Sequence, residues 1–110
     1  MKQVMYIAAT ALALNLPGSA NAQQNPVIGN GLLANCTSTS HSDFILCISY
    51  INGVADALGA LGEICRPKEV NFEQTKDVVV NGLRADAANR HKSSTTLILS
   101  YLRAAFPCKK

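Results

Sequence analysis

The stretch CISYINGVADALGALGEIC, residues 47–65, limits the possible folds more than any other part of the chain. Cys47, Ile51, Val54, Leu58, Leu61 and Cys65 recur every three or four positions, the spacing that makes one apolar stripe along an α-helix. Asn52-Gly53 also reads as a type I′ turn between two strands, because such dipeptides are a strong hairpin signal. Against a hairpin, the half that follows is built from Ala, Leu and Gly in place of β-branched residues, and the stripe passes through the dipeptide unbroken. The pattern predicts a central helix of a small bundle.

Upstream, Met1 and Lys2 precede the uncharged run VMYIAATALAL, Leu16-Pro17-Gly18 breaks it, and Ala20-Asn21-Ala22 supplies the small residues of a cleavage site. Residues 1–22 are expected to be a secretory signal peptide, since the run is shorter than the ~20 apolar residues of a bilayer-spanning helix. No later segment reads as long and apolar enough to span a membrane. The mature chain, residues 23–110, is then expected outside the cytoplasm, as one domain without a membrane partner. All four cysteines lie in it, and an even cysteine number in a short exported chain indicates structural disulfides. Ten basic against seven acidic side chains, with Lys2 in the leader, is a near balance that does not point to nucleic acid or an anionic surface.

In order along the mature chain, Asn25-Pro26 suggests a helix N-cap and first position, with Ile28, Leu32 and Cys36 facing the core. Residues 37–43 form a polar connector from which Ser40 or Ser42 would cap the central helix. Pro67 interrupts the periodicity after Cys65, and Asn71 with Gln74 makes an N-x-x-Q capping box. The helix so begun carries Phe72, Thr75, Val79 and Leu83, widened by Val78. Its pattern dissolves over residues 86–92, and a fourth helix follows from Ser93 or Ser94. That helix bears Leu97 or Ile98, Tyr101 or Leu102, Ala105 and Phe106, and Pro107 ends it. Four helices with short links predict an all-α, antiparallel up-and-down bundle.

Bundle geometry selects one cysteine pairing from three. Cys47 and Cys65 on one helix would lie roughly 27 Å apart at 1.5 Å per residue, far beyond the ~7 Å that a disulfide spans. Sharing of poles by successive helices then pairs Cys36 with Cys47 and Cys65 with Cys108. The two bridges would add about 3 and about 4 kcal/mol by loop entropy. Spacings without a close C-x2-C pair do not suggest zinc.

Catalytic chemistry finds little support. His41, Ser42 and Asp43 are adjacent, whereas triad members come from separated segments, so they read as capping residues. His91 stands between Arg90 and Lys92 in a hydrophilic connector, and Glu73, Lys76 and Asp77 suit ordinary ion pairs on the third helix. Tyr50 and Gly53 read as packing residues, the glycine allowing another helix to approach closely. No cofactor or metal is implied, and the chain reads as a non-enzyme.

The order of motifs supplies the functional expectation. Gly31-Leu32 before Cys36, Cys47-x-x-Tyr50-x-x-Gly53, Cys65-x-Pro67 with Val70 and Gln74, Val78-Val79 with Leu83, and Phe106-Pro107-Cys108 together resemble the Rap/Tai immunity protein family over residues 29–108. The resemblance implies a periplasmic, often dimeric helical protein of type VI secretion, the immunity half of a toxin–antitoxin pair. Such a protein binds a peptidoglycan amidase effector and occludes its active-site cleft. It also implies that a connector enters the cleft, which here would be Asp86, Asn89, Arg90, His91 and Lys92. Relatives commonly carry proline near the end of the third helix, where this chain has Asp86-Ala87-Ala88-Asn89. A small periplasmic chaperone or ligand carrier is the alternative, and would need an exposed apolar groove.

Overall fold

The computed structural model describes residues 25–109, so the leader expected over residues 1–22 lies outside the described residues. Four helices carry the fold: α1 (Gly29–Thr37), α2 (His41–Ala60), α3 (Phe72–Ala85) and α4 (Ser94–Ala105), with a 3-10 turn at Ala87–Asn89. No strand occurs among the described residues, only an isolated antiparallel bridge between Ile28 and Ser93. The expected all-α bundle is present, and α2 packs against all three other helices.

Local chemistry explains where the helices start. Ser40 accepts from the Asp43 amide at 3.4 Å and caps α2. The rest of the His41-Ser42-Asp43 group belongs to the same cap, Ser42 pairing with Ser40 and Asp43 accepting from the Ser38 hydroxyl. At α3 the capping box is complete: Asn71 Oδ1 accepts from the Gln74 amide at 2.8 Å, and Gln74 Oε1 from the Asn71 amide at 3.0 Å. Glu73 and Lys76 form the expected ion pair at 3.1 Å, and Lys76 also pairs with its neighbour Asp77 at 2.9 Å. Helix α1 departs from expectation. Asn25 makes a turn instead of a cap, its Oδ1 accepting from the Val27 amide, and the N-cap is Ile28, without a side-chain bond. Ile28 consequently faces outward, and only Leu32 of the expected trio is fully buried.

The end of α2 is the largest correction. The apolar stripe continues in sequence to Cys65, but the helix stops at Ala60. Gly62 adopts φ 77°, the Gly62 amide donates to Gly59 O at 3.1 Å and the Glu63 amide to Leu58 O at 2.9 Å. These two bonds define a Schellman motif, which terminates the helix on a left-handed glycine. Leu61 is left 74 % exposed and Ile64 turns back into the core. Cys65 therefore lies outside α2, and the separation along one helix that excluded its pairing with Cys47 does not exist. The pairings themselves are as expected: Cys36–Cys47 and Cys65–Cys108, with Cα atoms 5.0 and 4.9 Å apart. Such cross-links belong to oxidising compartments outside the cytoplasm.

The core comprises Leu32, Cys47, Ile51, Ala55, Leu58, Ile64, Val79, Leu83, Leu97, Ile98 and Leu102, with Tyr50 packed at its edge. On α3, Val80 is buried and Phe72 is 65 % exposed, because Phe72 opens the helix before its buried face begins. Ala105 is exposed, and Phe106 lies just beyond α4 as its half-buried C-cap. Gly53 admits no neighbouring helix: a Cβ built there meets nothing within 4 Å. By length and composition α2 could cross a bilayer, contrary to the reading of the sequence. Its buried face and its Cys47 disulfide mark it as the central helix of the bundle.

Candidate functional site

The α3–α4 connector begins where Asp86 leaves helical geometry at φ −120°, ψ 52°. Its amides are spent within the loop: Asn89 donates to Asp86 O at 3.0 Å, Arg90 to Ala87 O at 3.4 Å and Lys92 to Asn89 O at 2.9 Å. Three helices then hold it. From α4, the Tyr101 hydroxyl donates to Asp86 Oδ2 at 2.9 Å, while Asn89 Nδ2 donates to Asp86 Oδ1 at 2.7 Å. From α3, Leu83 O accepts from Arg90 Nη1 at 3.1 Å. From α1, the Gly29 and Asn30 amides donate to Lys92 O and Arg90 O at 3.0 and 2.8 Å.

These last two bonds replace the missing N-cap of α1. The first amides of any helix lack partners within it, and here the connector's carbonyls supply them. Gly29 makes the approach possible, since a Cβ there would stand 2.7 Å from Arg90 O. Glycine has a second role at position 82, where a Cβ would meet the Tyr101 ring at 2.6 Å. The ring thus lies directly on the backbone of α3, one helical turn before Asp86.

Electrostatics follow from this geometry. Hydrogen bonds from Asn89 and then Tyr101 hold the Asp86 carboxyl below the usual carboxylate range, with smaller help from the positive charges of Lys92 and Arg90. Burial, and then the bond to Asp86, pushes the Tyr101 phenol up to about 12. Both states favour the bond observed, a neutral hydroxyl donating to an ionised carboxylate.

Of the five connector residues singled out in the sequence, the structure brings Asp86, Asn89 and Arg90 into this internal network and leaves His91 and Lys92 exposed. Ala87 and Ala88 join them on the outer side. Sequence reading missed Tyr101 and Gly29 as connector partners. By spacing Tyr101 is one option for the core stripe of α4, and polar contacts across fifteen positions leave no periodic signal.

A second exposed feature surrounds Phe72. A cleft of about 490 Å³ is lined by Arg66, Pro67, Val70 and Phe72, and one of about 280 Å³ by Ile48, Asn52, Gly53 and Phe72. Ile45 and Leu46, 45 % and 41 % exposed, continue this side of α2 by another turn. No cluster of potential metal ligands occurs among the described residues.

Two disulfides, a helical frame and a connector held from three sides define a rigid all-α domain that presents a preformed loop. The family model for Rap1a immunity proteins matches residues 28–108, and the chain belongs to that family. It is accordingly an immunity protein directed against a secreted effector, which is its binding partner. No curated protein and no solved structure matches the chain.

Proposed function

We propose that the protein is a non-enzymatic, periplasmic inhibitor of a type VI secretion peptidoglycan amidase, and that the connector at residues 86–92 occludes the amidase cleft. The observation that carries this reading is the connector's prior fixation: a loop already bonded to α1, α3 and α4 loses little conformational freedom on binding. In this reading His91 and Lys92, with the small Ala87 and Ala88, touch the effector, while Asp86, Asn89 and Arg90 shape the loop that carries them. The test is peptidoglycan cleavage by a purified type VI amidase, with the oxidised protein added at equimolar amount. Full inhibition, relieved by H91E/K92E with an unchanged melting temperature, is the expected result. Undiminished cleavage by every such amidase would reject the reading.

A homodimer is part of the same proposal. Exposed Ile45, Leu46 and Phe72 beside Gly53, where a Cβ would find open space, support a helix-to-helix contact between two copies on this side of α2. The same clefts favour, as a second reading, a small helical chaperone or ligand carrier. Saturable binding of a hydrophobic dye, lost in F72S, would support that reading.

A further inference from the structure

We propose that Tyr101 is the positioning residue of the effector-binding surface, setting the shape of the connector from outside it through Asp86. The inference rests on the inhibitory reading of the connector and deepens it. Asp86 is the residue at which the chain leaves α3, so its backbone angles set the direction in which the loop departs. Its two carboxylate oxygens are held by different parts of the fold: Oδ2 by Tyr101 of α4 and Oδ1 by Asn89 at the end of the 3-10 turn. One side chain thereby couples the last turn of α3, the loop and α4. The hydroxyl is itself fixed, because the Tyr101 ring rests where Gly82 has no side chain and cannot tilt toward α3.

The arrangement divides labour within the loop. Ala87, Ala88, His91 and Lys92 face outward, and none of them bonds to Tyr101 or Asp86 through a side chain. The remaining attachments act on the far half of the loop, through backbone carbonyls of Arg90 and Lys92 and through the Arg90 guanidinium. Tyr101 is the tie on the near half. Its hydroxyl can be removed while the ring stays, which makes the proposal separable from packing.

The experiment uses Y101F in the full oxidised protein, with amide hydrogen exchange of the free protein and affinity for the inhibited amidase as paired measurements. Exchange of the Asn89, Arg90 and Lys92 amides is expected to quicken by about tenfold, while Val79 and Leu83 within α3 stay as in the parent. Affinity is expected to fall by about tenfold, the equivalent of about 1.4 kcal/mol. H91E supplies the contrast: weaker binding with unaltered exchange marks a contact residue, whereas Y101F changes both. Adding Y101F to D86A should change little beyond D86A alone, since D86A already removes the Tyr101 bond along with the Asn89 bond. Unchanged exchange in Y101F overturns the proposal, as does faster exchange with unchanged affinity. If the parent protein binds no amidase, the inhibitory reading fails and the proposal falls with it, while exchange still decides whether Tyr101 holds the loop.

Discussion

Both connectors that flank α3 are tied to neighbouring helices by side-chain bonds, Arg66 of the first to Asp56 and Thr75, but only the first adds a covalent tie. The one before it, residues 61–71, leaves α2 through a left-handed glycine and is anchored covalently by Cys65–Cys108, reinforced by the Cys65 amide donating to Phe106 O at 2.9 Å. Around it the surface is open, with clefts on either side of exposed Phe72. The one after it, residues 86–93, has no covalent tie and is enclosed by bonds to three helices. A cross-link acts largely by restricting the unfolded chain and leaves nearby side chains free to vary. A hydrogen-bond network acts in the folded state and consumes the polar groups it uses. The first connector spends Arg66 on Asp56 and Thr75 and still keeps an exposed aromatic surface, while the second gives up Asp86, Asn89 and Arg90 to keep its shape without a cross-link.

The largest test of this contrast is removal of the covalent tie. Replacing Cys65 and Cys108 by alanine should cost about 4 kcal/mol and replacing Cys36 and Cys47 about 3 kcal/mol, from the lengths of the loops they close. Urea unfolding of each variant against the parent measures both. If the Cys65–Cys108 variant lost less stability than a single change in the other connector, the division would be wrong.

Glycine substitutions give the next effect and opposite signs. G29A forces a methyl against the Arg90 carbonyl and should destabilise by about 1–3 kcal/mol. G53A places the same methyl in open space on an exposed helix and should stabilise by about 0.5–1 kcal/mol. Thermal melts of the two variants, side by side, distinguish a glycine that the fold requires from one it does not.

Titration sharpens the account of the second connector. A carboxyl whose folded value is depressed contributes fully above its unfolded value, about pH 4, and loses that contribution as pH falls through the lowered folded value. A phenol whose folded value is raised contributes fully below about pH 10 and loses that contribution as pH climbs through about 12. Amide protection of Asn89 and Lys92 should therefore be level from about pH 5 to about pH 9 and decline on both sides. A midpoint within that window would mean that another group controls the loop. The smallest effect on stability is expected from F72S, within about 0.5 kcal/mol, because the ring is mostly exposed. If two copies meet there, sedimentation should show F72S shifted to the monomer, and an unchanged mass would remove Phe72 from the contact.

How much of this was legible in the sequence depended on the range of the interaction. Caps were readable because Ser40 and Asn71 act on residues three positions away. The bundle and the disulfide pairing were readable from periodicity and pole sharing, although the roughly 27 Å separation of Cys47 from Cys65 required an α2 longer than the one that ends at Ala60. That error has a physical source: an apolar stripe measures which residues could share a helix face, while a glycine at positive φ decides where the helix ends. Phe72 and Val80 show a related limit, since the spacing placed Phe72 and Val78 on the stripe, whereas Phe72 is exposed and Val80 is buried. At the connector, Asp86, Asn89 and Arg90 were recognisable as polar, but their direction was not. It depends on Tyr101 and on the start of α1, which reach the connector only in the folded bundle.

The borrowed cap of α1 is also expected to order assembly in time. This helix leaves the ribosome before the others, yet the carbonyls that complete its first turn belong to Arg90 and Lys92, near the opposite end of the chain. A contact between parts so distant forms late, because the intervening chain must first be brought together. Pulsed hydrogen exchange during refolding is expected to protect Gly29 and Asn30 in the same phase as the last helix, and not with the Ser40-capped start of α2. The first helix in sequence would then be among the last to be finished.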